Sequence, residues 1–201
     1  MIRASLAVLG SMFLCATAAS QGHGNAHAPT PPPPIQMMQQ IFCLPGQSGV
    51  IICPCNNPPV PPGLACGNSI GVSSSLTGSG SASLSADTFT LSATGELNSA
   101  LTVFWQGQNQ LPNGVIMGAG IRCVSTGLRR LYIGNAAGGV IVRPGPGDLS
   151  LSARSAALGD PLTPGSIRFY FNTYRDPGAT AMCAFLATFN TTNAGVISWA
   201  P

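Results

Sequence analysis

From about residue 69 the chain falls into short runs in which apolar side chains alternate with small polar ones, the period-two pattern of half-buried β-strands. In "SASLSADTFTLSA", Ala82, Leu84 and Ala86 share one face. The phase slips at Asp87 and Thr88, then Phe89, Leu91 and Ala93 carry it on, so a bulge or turn is predicted there. "ALTVFWQG" (100–107) predicts the next strand, followed by a turn through 109–114. "VIMGAGIRC" sets Val115, Met117, Ala119, Ile121 and Cys123 on one side. "RRLYIGN" and "GGVIVRP" flank a Gly-rich turn at 135–139, and "LSLSARSAAL" alternates through Leu149, Leu151 and Ala153. "SIRFYFNTYRDP" is the strongest strand signal, and "AMCAFLATFN" and "GVISWAP" complete the series. The one hint of helix is a turn in "IQMMQQIF" (35–42).

Repeated short strands with frequent turn signals predict an all-β fold, an antiparallel β-sandwich of jelly-roll or Ig-like kind, over residues 69–201. Residues 41–68 form a Cys-rich segment packed on it; the Pro pairs in "NNPPVPPG" exclude helix and interior strand. Residues 21–40 read as a Pro-rich flexible spacer, with Pro31 to Pro34 favouring polyproline II. Residues 1–20 carry Arg3, an apolar core from Leu6 to Leu14 and small residues at "ATAAS", the three parts of a secretory signal peptide. That apolar run is shorter than the ~20 residues of a membrane-spanning helix, and no later stretch is a spanning candidate.

Export changes the meaning of the cysteines. The chain has seven, and loss of the signal removes Cys15. Cys43, Cys53, Cys55, Cys66, Cys123 and Cys183 remain, an even set in an exported chain, which reads as a disulfide framework. Their spacing, C-x9-C-x-C-x10-C at the N-terminal end, fits neither the paired C-x2-4-C of zinc sites nor the C-x-x-C of thioredoxin-like motifs. Cys53 and Cys55 flank Pro54 and point to opposite sides of an extended backbone, so they take different partners. The near partners are Cys43 and Cys66, which leaves Cys123 with Cys183 as the favoured long-range bridge.

Composition narrows the chemistry. Charged residues make up 6% of the chain, and all eight basic residues are arginine. A nucleic-acid partner needs clustered Lys/Arg on one face, and none is present. The two histidines, His23 and His27, both lie in the spacer, so the globular part lacks the groups for a Ser-His-Asp triad, a Cys-His pair or a Schiff base. No cofactor motif occurs. The remaining catalytic route is a carboxylate pair drawn from Asp87, Glu96, Asp148, Asp160 and Asp176, as in glycosidases.

Several short motifs occur together: "FC" at Phe42-Cys43, "CPCNN" at Cys53 to Asn57, "GLACGNSIG" at Gly63 to Gly71, "YRDP" at Tyr174 to Pro177, and "FNTTN" from Phe189 with a terminal "SWAP". In this combination the chain resembles an uncharacterised family of secreted bacterial Cys-rich β domains of planctomycete and myxobacterial type. The resemblance covers about residues 41–201. It implies export and the extent of the domain, and it implies no activity.

Candidate sites follow from the strand pattern. If Ile167, Phe169, Phe171 and Thr173 face the core, then Arg168, Tyr170, Asn172 and Tyr174 form an outward stripe able to stack on sugar rings or meet a protein. Trp105 and Trp199 read as core. Asp148 and Asp160, in Pro/Gly loops, are calcium candidates whose alternative role is turn capping or an Arg pair. His23 becomes a copper candidate if cleavage after Ser20 leaves it third from a free amine. The expected function is a secreted structural or adhesive module of the cell exterior without catalysis. The alternative is a carbohydrate-binding sandwich, and third comes a carboxylate-based secreted hydrolase. The expected partner is a polysaccharide or a cell-surface protein.

Overall fold

The computed structural model describes residues 38–183 and 187–201. The expected signal peptide of residues 1–20 and residues 21–37 of the expected spacer, and with them Cys15, His23 and His27, lie outside the described residues. The strands are β1 (Gln40–Phe42), β2 (Ser75–Ser79), β3 (Thr90–Thr94), β4 (Leu101–Gly107), β5 (Asn109–Met117), β6 (Gly120–Ser125), β7 (Arg129–Asn135), β8 (Ile141–Arg143), β9 (Ile167–Arg175) and β10 (Phe189–Ser198). One helix, α1 (Leu151–Ala157), and a 3-10 turn at Pro177–Ala181 interrupt them. All strand pairing within the sheets is antiparallel. A five-stranded sheet runs β1-β10-β9-β4-β7, a three-stranded sheet runs β2-β3-β8, and β5-β6 is a separate hairpin. The fold is thus mostly antiparallel β, as the alternation predicts.

The five-stranded sheet is covered on both faces at its centre. On one face Phe104, Leu131, Tyr132, Tyr170 and Ile197 share a core with Leu76 and Leu91 of the three-stranded sheet, with Phe89 just before β3, and with Leu151 of α1. On the other, Phe42, Phe171 and Ala194 pack with Ile121, Cys123 and Val124 of β6. Phe42 and Phe169 meet edge to face at 5.7 Å. The two sheets are also tied by hydrogen bonds. Asn193, in the bulge between Thr191 and Ala194, accepts from Leu76 N at 2.8 Å and donates to Leu76 O at 3.1 Å. Its side chain therefore pairs with β2 as a backbone would.

Four expectations fail locally. "LSLSARSAAL" is a helix rather than a strand. Leu151, Ser155 and Leu158 recur at helical spacing and face inward, the run holds three Ala and three Leu, good helix formers, and Asp87 Oδ2 accepts from Ser152 N at 2.7 Å, capping the first turn from a distant loop. The segment from Val115 to Cys123 is a hairpin rather than one strand. It reverses at Gly118, whose positive φ of 62° suits a glycine, so Val115 and Ile116 are exposed while Ile121 and Cys123 are buried. The expected turn at 109–114 is part of strand β5. Nor is there a helical turn at the end of "IQMMQQIF": Gln40, Ile41 and Phe42 pair with Val196, Gly195 and Ala194 of β10. Met38 lies over Gly195, where any side chain would collide with it. In "AMCAFLATFN", Ala181 ends the 3-10 turn and Phe189 opens β10, with 184–186 outside the described residues.

Three disulfides staple the Cys-rich segment: Cys53–Cys66 closes a loop within it, while Cys43–Cys123 ties it to β6 and Cys55–Cys183 to the chain just after the 3-10 turn. Cys53 and Cys55 do take different partners. The favoured Cys123–Cys183 bridge is not formed. Cys43 follows β1 at the edge of the five-stranded sheet and sits in the core that β6 covers, which brings Cys123 to it. Cys183, just after the 3-10 turn, packs instead with Cys55, Ala119 and Ala179. Asn57 fixes the loop between them, donating to Gly67 O at 2.6 Å and Ala119 O at 2.9 Å and accepting from Cys55 N at 3.1 Å.

Candidate functional site

The stripe expected to face solvent faces inward. Tyr170 and Asn172 are 0% exposed and Tyr174 1%; Arg168 is half-buried. The reason lies in the topology: β9 is paired on both edges and covered on both faces along its middle, so from Tyr170 to Tyr174 neither parity of its side chains has a solvent side, and the strand opens to solvent at its ends, Ile167 and Arg175. The polar groups of the stripe build a structural network instead. Arg168 donates to both oxygens of Asp160, at 2.8 and 2.7 Å. Gln106, fully buried on β4, donates to Asp160 Oδ2 and to Ser155 Oγ, both at 2.7 Å, and accepts from the Tyr170 hydroxyl at 3.0 Å. Trp199 Nε1 donates to that same hydroxyl at 3.2 Å. Burial pushes the Tyr170 phenol above its ordinary range, and the Arg168 hydrogen bond holds the Asp160 carboxyl below the usual carboxylate range.

The calcium candidates are engaged in the same manner. Asp160 has both oxygens on Arg168 and the two glutamines, Gln106 and Gln108. Asp148 accepts from Gly145 N at 2.8 Å and Arg143 Nη1 at 3.1 Å, closing its own turn. Among the described residues no three His, Cys, Asp or Glu side chains converge. Asp176 is held by Ser69, through its backbone N at 3.0 Å and its hydroxyl. Glu96 differs. It is 3% exposed, one oxygen accepts from the Thr102 hydroxyl and the other, Oε1, has no partner. Burial pushes its carboxyl up to about 7, against the smaller pull of the Thr102 bond.

The surface feature with ligand-like chemistry lies elsewhere, on the face of the five-stranded sheet that carries the β5–β6 hairpin. The hairpin rests on β10 and β9. It reaches β4 at Gly107, where the missing Cβ leaves room for Val124 and Ser125. The rest of β4 and the edge strand β7 stay uncovered. Leu101, Val103 and Trp105 therefore line an open concavity of about 240 Å³, with Arg130 of β7 and Arg175 of β9 at its sides and Met117 at its end. Leu101 and Arg175 also border an adjoining hollow of about 340 Å³. Ile133, paired with Val103, is 51% exposed.

The Trp105 indole is half-buried rather than enclosed, unlike Trp199, which is 1% exposed. One ring face stacks on Phe171 at 6.1 Å, and Nε1 donates to Thr173 Oγ1 at 3.0 Å. The Arg130 guanidinium lies 5.0 Å from the ring centroid. No acid lines either hollow, and the two ion pairs among the described residues, Arg143–Asp148 and Arg168–Asp160, involve neither Arg130 nor Arg175. A further hollow, bordered by Pro45, Ile52, Pro58 and Pro59, has no charged lining. The sequence signal for the Trp105 face was Leu101-Val103-Trp105 in one parity; the short reach of the hairpin, which leaves that parity open, is not visible in it.

No family model, no curated protein and no solved structure matches the chain. Three disulfides fit an oxidising compartment outside the cytoplasm. No helix among the described residues is long and apolar enough to cross a membrane.

Proposed function

We infer that this chain is a secreted structural or adhesive module of the cell exterior that works by binding rather than by catalysis. Its five- and three-stranded sheets would form the two layers of a β-sandwich, with the Cys-rich segment as a stapled cover. One observation carries the reading: the carboxylates of the globular part are committed to structural bonds. Asp87 caps α1, Asp148 closes its turn, Asp160 holds Arg168, Asp176 holds Ser69 and Glu96 is buried against Thr102. A hydrolase of this composition needs two acids flanking a cleft. Meanwhile the covalent lacing suits a domain exposed to an oxidising, protease-rich exterior.

A sugar-binding role moves from the buried Tyr170/Tyr174 stripe to the Trp105 face. The test is direct. The chain is expressed with its own residues 1–20, and the exported product is alkylated without reduction and mixed with cell-envelope material. Export, no alkylated cysteine in residues 21–201 and co-sedimentation without release of reducing sugar are expected. Retention in the cytoplasm with all seven thiols alkylated, or sugar release that Asp→Asn variants abolish, refutes the reading.

A further inference from the structure

We propose that the open face of β4 and β7 is a binding site for an acidic, uronate-bearing polysaccharide, with Trp105 as the platform and Arg130 and Arg175 as the carboxylate contacts. The proposal rests on the adhesive reading above and names the ligand for it. Four features converge on this face.

The first is shape. Leu101, Val103 and Trp105 alternate along one side of β4, which at ~3.3 Å per residue makes a floor of about 13 Å, and the adjoining hollow beyond Leu101 extends it. An extended open floor suits a chain better than a compact small molecule, which pockets enclose on most sides. The second is the platform. An indole held between Phe171 on one face and Arg130 on the other, and pinned through Nε1 to Thr173, cannot rotate away, so its upper edge continues the apolar floor of Leu101 and Val103 as a fixed surface for the C–H face of a sugar ring.

The third is charge. The protein has few charged residues, yet two arginines free of carboxylate partners stand at the sides of this one concavity, and no acid lines it. Guanidinium groups pair with planar carboxylates in a two-pronged geometry. The fourth is preorganisation. Arg130 is held over Trp105 by a cation–π contact, which lowers the entropy lost when it engages an anion. An acidic peptide would use the two charges but not the apolar platform. A neutral glycan would use the platform and leave two cations unpaired.

The experiment is affinity electrophoresis of the oxidised, exported protein through gels containing sodium polygalacturonate, its fully methyl-esterified form, or polyglutamate. Retardation by polygalacturonate alone is expected, weakening as salt rises. Arg130→Gln and Arg175→Gln should each weaken binding about fivefold, the effect of ~1 kcal/mol at an exposed charge pair, and Trp105→Phe by a similar factor. Near-UV circular dichroism and intact disulfides establish that each variant is folded. Absence of retardation, equal retardation by the esterified polymer or by polyglutamate, or unchanged binding in the folded double variant overturns the proposal. So does a dimer at sedimentation equilibrium that Trp105→Phe dissolves, because a second copy would then occupy the face. Co-sedimentation with envelope material that persists in the double variant overturns this site and leaves the adhesive reading standing.

Discussion

Glu96 makes the fold's stability depend on pH in a direction opposite to that of most carboxylates. Its side chain is 3% exposed, and burial raises its pKa from 4.5 to about 7. A carboxyl with a raised folded pKa holds its proton more tightly folded than unfolded. Its contribution is therefore fully present below about pH 4.5, declines as pH rises through the folded value, and is flat above it. The gap of about 2.5 pH units, at ~1.36 kcal/mol each, is about 3 kcal/mol of stability lost between pH 4.5 and 7. No histidine follows residue 27, so Glu96 is the side chain of the globular part that titrates between pH 5 and 8. The assay is urea unfolding of the wild type and of Glu96→Gln, whose amide oxygen still accepts from Thr102, at half-unit steps across that range. With a denaturant slope of ~2 kcal/mol/M, the wild-type midpoint should fall by roughly 1 M from pH 5 to 8, while that of the variant stays level. The two curves should converge towards pH 5 and separate above 7. Parallel curves refute the argument, because they mean that Glu96 ionises in the fold as it does in the unfolded chain.

The Cys55–Cys183 bridge closes 128 residues, so replacing both cysteines with Ala should cost about 5 kcal/mol by loop-closure entropy and lower the thermal midpoint measured by calorimetry. The Cys53–Cys66 pair, closing 13 residues, should cost less, about 3 kcal/mol, and the order of the two midpoints checks the pairing. Asp160→Asn leaves Arg168 without its counter-ion and should destabilise by about 3 kcal/mol in urea at pH 7. That difference should shrink below pH 4, since a depressed carboxyl contributes stability that is lost as it protonates. Tyr170→Phe removes the hydroxyl shared by Gln106 and Trp199 and should cost about 1–2 kcal/mol in the same assay without changing electrophoretic binding to any glycan.

How far the fold was legible depends on what each pattern could encode. β3, β4, β7, β9 and the end of β10 follow from alternation, because a period of two in Leu91/Ala93 or Phe104/Gln106 leaves little choice. Which parity points inward on β9 did not follow, because both parities carry large rings: Phe169 and Phe171 on one side, Tyr170 and Tyr174 on the other. Phenolic tips looked like surface chemistry, yet Gln106 supplies an acceptor for Tyr170 deep in the core. Leu149-Leu151-Ala153 fits a strand and Leu151-Ser155-Leu158 fits a helix, and the contact that favours the helix, Asp87 on Ser152, spans 65 residues. Cysteine number and export gave the existence of crosslinks, whereas partners depend on where β6 and the 3-10 turn lie in space. A Trp in a β-strand reads as core, as Trp199 is; the half-exposure of Trp105 is set by where a hairpin from another part of the chain stops.

The two long crosslinks overlap. One joins residue 43 to 123 and the other 55 to 183, so every peptide bond between Cys43 and Cys183 is spanned by at least one of them. A protease that nicks any single loop in that interval, including the exposed turns around Gly138 and Gly147, leaves two fragments that are still covalently one particle. In an oxidising compartment such a clipped molecule keeps its pieces tethered, and cleavage becomes visible only once a reductant is added.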